Sequence, residues 1–77
     1  MTQEKQDAAI VVAQEALLKC DNEQEIAANI KASFEQKYSS TWHCFVGRNF
    51  ACFVTYEAHS FIYFYIGQVG ICLFATE

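Results

Sequence analysis

Charge is crowded into one end of this chain and aromatic surface into the other, and that division limits what it can fold into. Residues 1–40 carry eleven of the fourteen Asp, Glu, Lys and Arg side chains, and the rest of the chain only Arg48, Glu57 and Glu77. Ten of the twelve aromatic residues fall in residues 41–77. The first half therefore supplies solvated surface, and the second supplies more apolar surface than one small sheet can hide alone. At 77 residues the chain is one domain, and folding at this size removes only about 60% of the unfolded surface from water. Domains this small lean on a disulfide, a metal or a second chain. Cys20, Cys44, Cys52 and Cys72 stand far apart without a Cys-x-x-Cys pair, and the N-terminus is polar rather than a signal sequence. These features predict cytosolic, reduced thiols packed as small hydrophobes, no metal, and oligomerisation as the support.

The net charge of −4 and pI of about 5.0 speak against a nucleic-acid footprint or an anionic membrane surface. No apolar run approaches the roughly 18–20 residues that span a bilayer.

A helix is expected over residues 3–19, with Thr2 as its cap and Glu4 and Asp7 near its positive end. Ile10, Ala13, Leu17 and Cys20 form the expected apolar stripe, widened by Val11, Val12 and Leu18. Cys20-Asp21-Asn22 interrupts it. Asn22 with Glu25 three residues on resembles a capping box for a second helix over residues 23–38, whose inward face is Ile26, Ala27, Ile30, Phe34 and Tyr38. After Ser39-Ser40-Thr41 the period changes to two. Trp42, Cys44 and Val46 then take one face, and His43, Phe45 and Gly47 the other. Phe61, Tyr63 and Tyr65 oppose Ile62, Phe64 and Ile66, which predicts a central strand covered on both sides. Gly67-Gln68 suits a type II′ turn into a last strand from Val69 to Phe74. Two helices followed by antiparallel strands make an α+β domain. Between these runs lies Asn49 to Tyr56, itself strand-like and free of Pro, and a strand with unpaired backbone groups is a template for another chain.

Four motifs carry a family resemblance. Trp42-His43-Cys44-Phe45-Val46-Gly47-Arg48-Asn49-Phe50 and Phe61-Ile62-Tyr63-Phe64-Tyr65-Ile66-Gly67-Gln68-Val69, with Ile26-Ala27-Ala28 and Lys37-Tyr38, resemble the cytoplasmic dynein light chain of the roughly 8 kDa class. The resemblance covers nearly the whole chain. It implies a non-catalytic, cytoskeleton-associated homodimer without cofactors, in which each protomer lends the other a strand, here Asn49 to Glu57. One edge of that strand pairs with the other subunit, and the second accepts an extended peptide by strand addition. The groove so implied is lined by Phe50, Thr55, Phe61, Tyr63, Tyr65 and Gly70. The strand also contributes Asn49, Ala51, Cys52, Phe53, Val54 and Tyr56. Glu23 and Gln24 come from the partner subunit's second helix, where a peptide Gln caps the helix start. His43, Phe45, Phe53 and Thr55 are implied at the dimer interface, with His43 against its own twin, so that protonation of the imidazoles should push the subunits apart. The partners implied are the dynein intermediate chain and other proteins with Thr-Gln-Thr-like linear motifs, without nucleic acid or membrane insertion.

The chain also departs from the family pattern. The family's usual N-terminal strand is absent, Ala51 stands where relatives carry Gly, Cys52, Phe53 and Tyr56 replace Ser, Tyr and His, and Gln24 replaces a Lys. Phe53 thereby loses a hydroxyl that bonds across the dimer. These departures admit a rival reading, a divergent structural subunit whose groove is impaired and which packs only within a larger assembly.

Other chemistries fit the residues less well. The aromatic run at Phe61 to Tyr65 lacks the cations of a base-stacking platform. Glu23 and Glu25 are explained by a solvated helix start. His59 is expected in a surface loop, and its pairing with Cys52 is only arithmetic. Cys44 adjoins His43, but strand neighbours point to opposite faces and cannot form a nucleophile and base.

Overall fold

The computed structural model describes residues 2–48 and 61–76. In chain order these form α1 (Gln3–Lys19), α2 (Glu23–Lys37), β1 (Thr41–Gly47), β2 (Phe61–Ile66) and β3 (Val69–Thr76). Both helices begin where a side chain can take up an orphan amide. Thr2 Oγ1 accepts from the Lys5 N–H at 3.3 Å, and Asn22 Oδ1 accepts from the Glu25 N–H at 2.8 Å. Glu25 reaches back as a capping box does, but it accepts the Asp21 N–H at 3.1 Å, one residue before the cap.

The described strands form a three-stranded antiparallel sheet in the order β1-β3-β2. Gly67 carries the positive φ, 62°, that the first position of the expected two-residue turn requires, and Ile66 pairs with Val69 across it. From that turn β3 runs back between β2 and β1. The middle of the sheet is therefore β3, whose residues from Gly70 to Ala75 are all buried. The expectation of a central, doubly covered strand at Phe61 to Ile66 is corrected: β2 flanks β3, and its Tyr63 and Tyr65 are exposed. Aromatic residues on both faces of β2 signalled an outward aromatic surface rather than a second covering layer.

The helices cover one face of this sheet. Ile26, Ile30 and Phe34 of α2 enter a core with Trp42, Ile71, Leu73 and Ala75, and Cys44, Val46, Ile62, Phe64, Ile66 and Val69 pack around it. On α1 the buried residues are Ala9, Val12, Ala13 and Ala16, with Ala8, Leu17 and Cys20 partly covered. The stripe expected on Ile10, Ala13, Leu17 and Cys20 is thus rotated. Three alanines let α1 lie close to its neighbours, and Ile10, Val11 and Leu18 are turned out.

The join between α2 and β1 is aromatic and polar together. Phe34 meets Trp42 edge-on at 4.9 Å between centroids, and Tyr38 lies 5.1 Å from Phe34 and 6.2 Å from Trp42. Glu35 Oε2 accepts from Lys31 Nζ at 2.6 Å and from the Trp42 backbone N–H at 3.2 Å. Those two donors hold the Glu35 carboxyl below its usual range. Its help to the fold is therefore present at neutral pH and fades as pH falls into the carboxylate range. Among the described residues the buried Trp42 indole N–H has no hydrogen-bond partner, and the ring packs as a hydrophobe.

Because the Asn22 side-chain oxygen accepts the Glu25 amide N–H, Asn22→Ala should lower unfolding free energy by about 1 kcal/mol. Urea denaturation, compared with an exposed Gln36→Ala control, measures the difference.

Candidate functional site

Strand parity carries the pattern set by Trp42 across the sheet. With Trp42, Cys44 and Val46 turned to the helices, His43 and Phe45 must face outward, and the register puts them beside Phe74 and Cys72 of β3. The same register places Phe61 beside Phe74, Tyr63 beside Cys72, and Tyr65 beside Gly70. Three cross-strand rows result: His43-Phe74-Phe61, Phe45-Cys72-Tyr63 and Gly47-Gly70-Tyr65.

Within these rows the rings touch. His43 stacks on Phe74 with centroids 5.3 Å apart and planes 28° from parallel, and Phe45 lies 5.9 Å from Phe74. His43 Nε2 and Thr76 Oγ1 stand 3.2 Å apart, within hydrogen-bond distance. The Tyr63 and Tyr65 hydroxyls share a hydrogen bond at 3.1 Å, and that bond is the main reason the Tyr63 phenol is held above its ordinary pKa. Gly70 is buried and pairs with Gly47 on one side and Tyr65 on the other. Phe45, Tyr63 and Tyr65 remain 50%, 38% and 54% exposed. Fully burying such rings is worth on the order of 2 kcal/mol each, so this face is an incomplete layer.

The expected site residues are divided among the elements. Phe61, Tyr63, Tyr65, Gly70, His43 and Phe45 are brought together on the outer face. Glu23 and Gln24 are exposed in the first turn of α2, the layer that covers the opposite face. Asn49, Phe50, Ala51, Cys52, Phe53, Val54, Thr55 and Tyr56 lie outside the described residues, as do Glu57 and His59. Sequence reading did not single out Phe74 or Thr76, which lie against His43. Period two pointed to both, since they share the parity of Gly70.

The cysteines differ from one another. Cys20 and Cys44 are free thiols. Cys72 is fully buried and disulfide-bonded, so the expectation that it is a reduced packing residue is corrected. Spacing along a sequence does not reveal which sulfurs a fold brings within bonding distance. Cys44 packs among the core side chains, and burial pushes its thiol up to about 12. Among the described residues no cluster of three His, Cys, Asp or Glu could hold a metal, and no helix is long and apolar enough to cross a membrane.

Two helices back one face of an antiparallel sheet whose other face carries stacked and half-exposed rings. A family profile described as dynein light chain type 1 matches residues 1–76. A dynein light chain of Schistosoma mansoni is 51% identical over 76 residues, covering 99% of this chain and 85% of that protein. The chain belongs to the dynein light chain type 1 family, a non-catalytic family associated with motors and microtubules.

The Cys44 thiol gives a test of this packing. Its proton is held to about pH 12 in the fold, against about 9 for an ordinary thiol. The unfolded chain therefore loses that proton first, and Cys44 should make stability fall as pH rises from 9 toward 12. At pH near 8 iodoacetamide should leave Cys44 unlabelled in the native chain and label it in urea, as peptide mass mapping would show.

Proposed function

We propose that this chain is a homodimeric hub that binds short linear motifs of disordered partners by strand addition, as an accessory light chain of cytoplasmic dynein and a general dimerisation adaptor. The observation that carries the proposal is the outer sheet face. It gathers Phe61, Tyr63, Tyr65, Gly70, His43 and Phe45 on one surface and leaves three of its rings half in water. A second protomer against that face would bury what the helices do not. Glu23 and Gln24 sit on the opposite layer of the same protomer, which fits a groove assembled from two chains, one giving the aromatic sheet face and the other its helix start. An extended peptide would be held by main-chain hydrogen bonds along the strand Asn49 to Glu57 and chosen by pockets for alternate side chains. First-turn amides of α2 lack a carbonyl four residues back and would receive a peptide Gln oxygen.

Two equivalent grooves make the dimer bivalent. A partner that is itself paired gains effective concentration, and avidity can exceed single-site affinity by about 10² to 10⁴ fold. In the motor the partner would be a pair of intermediate chains, in the cytoplasm; elsewhere the dimer would join unrelated proteins.

Calorimetric titration with a short Thr-Gln-Thr-containing peptide should give saturable heat at one peptide per protomer, and Tyr65→Ala should weaken it about tenfold. Absence of heat would favour a structural subunit with an impaired groove. In sedimentation at neutral pH a His43→Lys variant should be monomeric, because two cations would face each other across the interface. A variant that stays dimeric would remove His43 from the interface.

A further inference from the structure

The outward side of α1 carries an apolar ridge that neither the core nor the sheet face uses. Ile10, Val11 and Leu18 are 37%, 51% and 89% exposed, on the side away from Ala9, Val12, Ala13 and Ala16. Val11 and Leu18 are two helical turns apart, roughly 10 Å along the axis. Gln14 lies between them, three residues after Val11 and four before Leu18. Such a row is what the seam of another helix packs against. Isolated exposed apolar side chains are ordinary. Here Val11 and Leu18 lie on one row with Ile10 flanking it about a quarter turn round, and almost the whole of Leu18 is in water.

Charge narrows the choice of occupant. Glu4, Asp7 and Glu15 are exposed and continue the same row at three- and four-residue steps through Val11 to Leu18. Asp7 accepts a hydrogen bond from Gln3 Nε2 at 2.9 Å, which leaves its charge in place. The cation of the first turns, Lys5, is turned inward with its Nζ 5.0 Å from the Tyr38 ring centroid. Lys19 stands about a quarter turn round from Leu18. A second copy of α1 would bring carboxylates against carboxylates, and an anionic bilayer would repel the same border.

We propose that the outer ridge of α1 is a docking surface for an amphipathic helix of another protein, one whose apolar seam is flanked by Lys or Arg. Three side chains cover much less than the roughly 1,000 Å² of a stable interface, so a single engagement is weak and sensitive to salt. The proposal is independent of strand addition, because α1 and the outer sheet face lie in different layers of the protomer.

The full chain, labelled with nitrogen-15, is titrated with a synthetic helical peptide carrying a leucine seam and flanking lysines. The same peptide with glutamates for the lysines, and vesicles of phosphatidylserine and phosphatidylcholine, serve as comparisons. The lysine peptide should shift α1 amides, bind about tenfold more tightly than the glutamate peptide, and weaken as salt rises. Val11→Ser with Leu18→Ser should abolish those shifts without changing the circular dichroism spectrum, since both positions are exposed. Glu15→Gln with Asp7→Asn should keep binding but lower it several-fold and flatten the salt dependence. Equal binding of the two peptides, shifts that survive the double serine change, no shifts at all, or uptake by the vesicles instead of the peptide would each overturn the proposal.

Discussion

The indole of Trp42 meets Phe34 edge-on at 4.9 Å, and the backbone N–H of the same residue donates to Glu35, the next residue along α2. One contact fixes the ring and the other fixes the strand start, so helix and sheet are joined at two points within a few ångströms. Once Trp42 faces the helices, the pleat leaves no choice for the rest of β1: Cys44 and Val46 turn in, and His43 and Phe45 turn out. β3 inherits that parity through its pairing, and β2 inherits it from β3.

A sheet backed on one side has to do something with its other face, and here that face is neither polar nor sealed. Phe74 is covered, but Phe45, Tyr63 and Tyr65 stay partly in water. For a chain with a small core, apolar area left uncovered is stabilisation not yet realised. Association with a second chain would cover that area, which is the physical ground for the homodimer proposed for this member of the dynein light chain type 1 family.

The reactive side chains are placed to pack rather than to react. Cys44 is buried to the point where its thiol keeps its proton far into alkaline solution. His43 is engaged by a ring on one side and lies within hydrogen-bond distance of the Thr76 hydroxyl on the other. Adjacent in sequence, they lie on opposite faces of β1, which separates them more surely than distance along the chain could. The Glu35 carboxylate, held below its usual range, serves as an acceptor at a helix–strand joint.

Much of this was legible from residue order alone. Caps at Thr2 and Asn22, the four-residue repeat of Ile26, Ile30 and Phe34, the alternation from Trp42 to Val46 and the turn at Gly67 are local signals, and each depends only on near neighbours. The strand order was not legible, because it depends on β3 folding back from β2 to reach β1. Nor was the rotation of α1, since Ala9, Val12, Ala13 and Ala16 and the bulkier Ile10, Val11 and Leu18 both satisfy helical spacing, and only close packing favours the smaller set. Of the site, the family resemblance named His43, Phe45, Phe61, Tyr63, Tyr65 and Gly70 but not Phe74 or Thr76, because the row that seats His43 on Phe74 depends on bringing distant segments together. Residue order thus determined where helices and strands begin and which side chains share a face, because those properties repeat along the backbone. Tertiary structure decided which strand lies in the middle and which apolar residues stay in solvent, because those depend on competition among surfaces far apart in the chain.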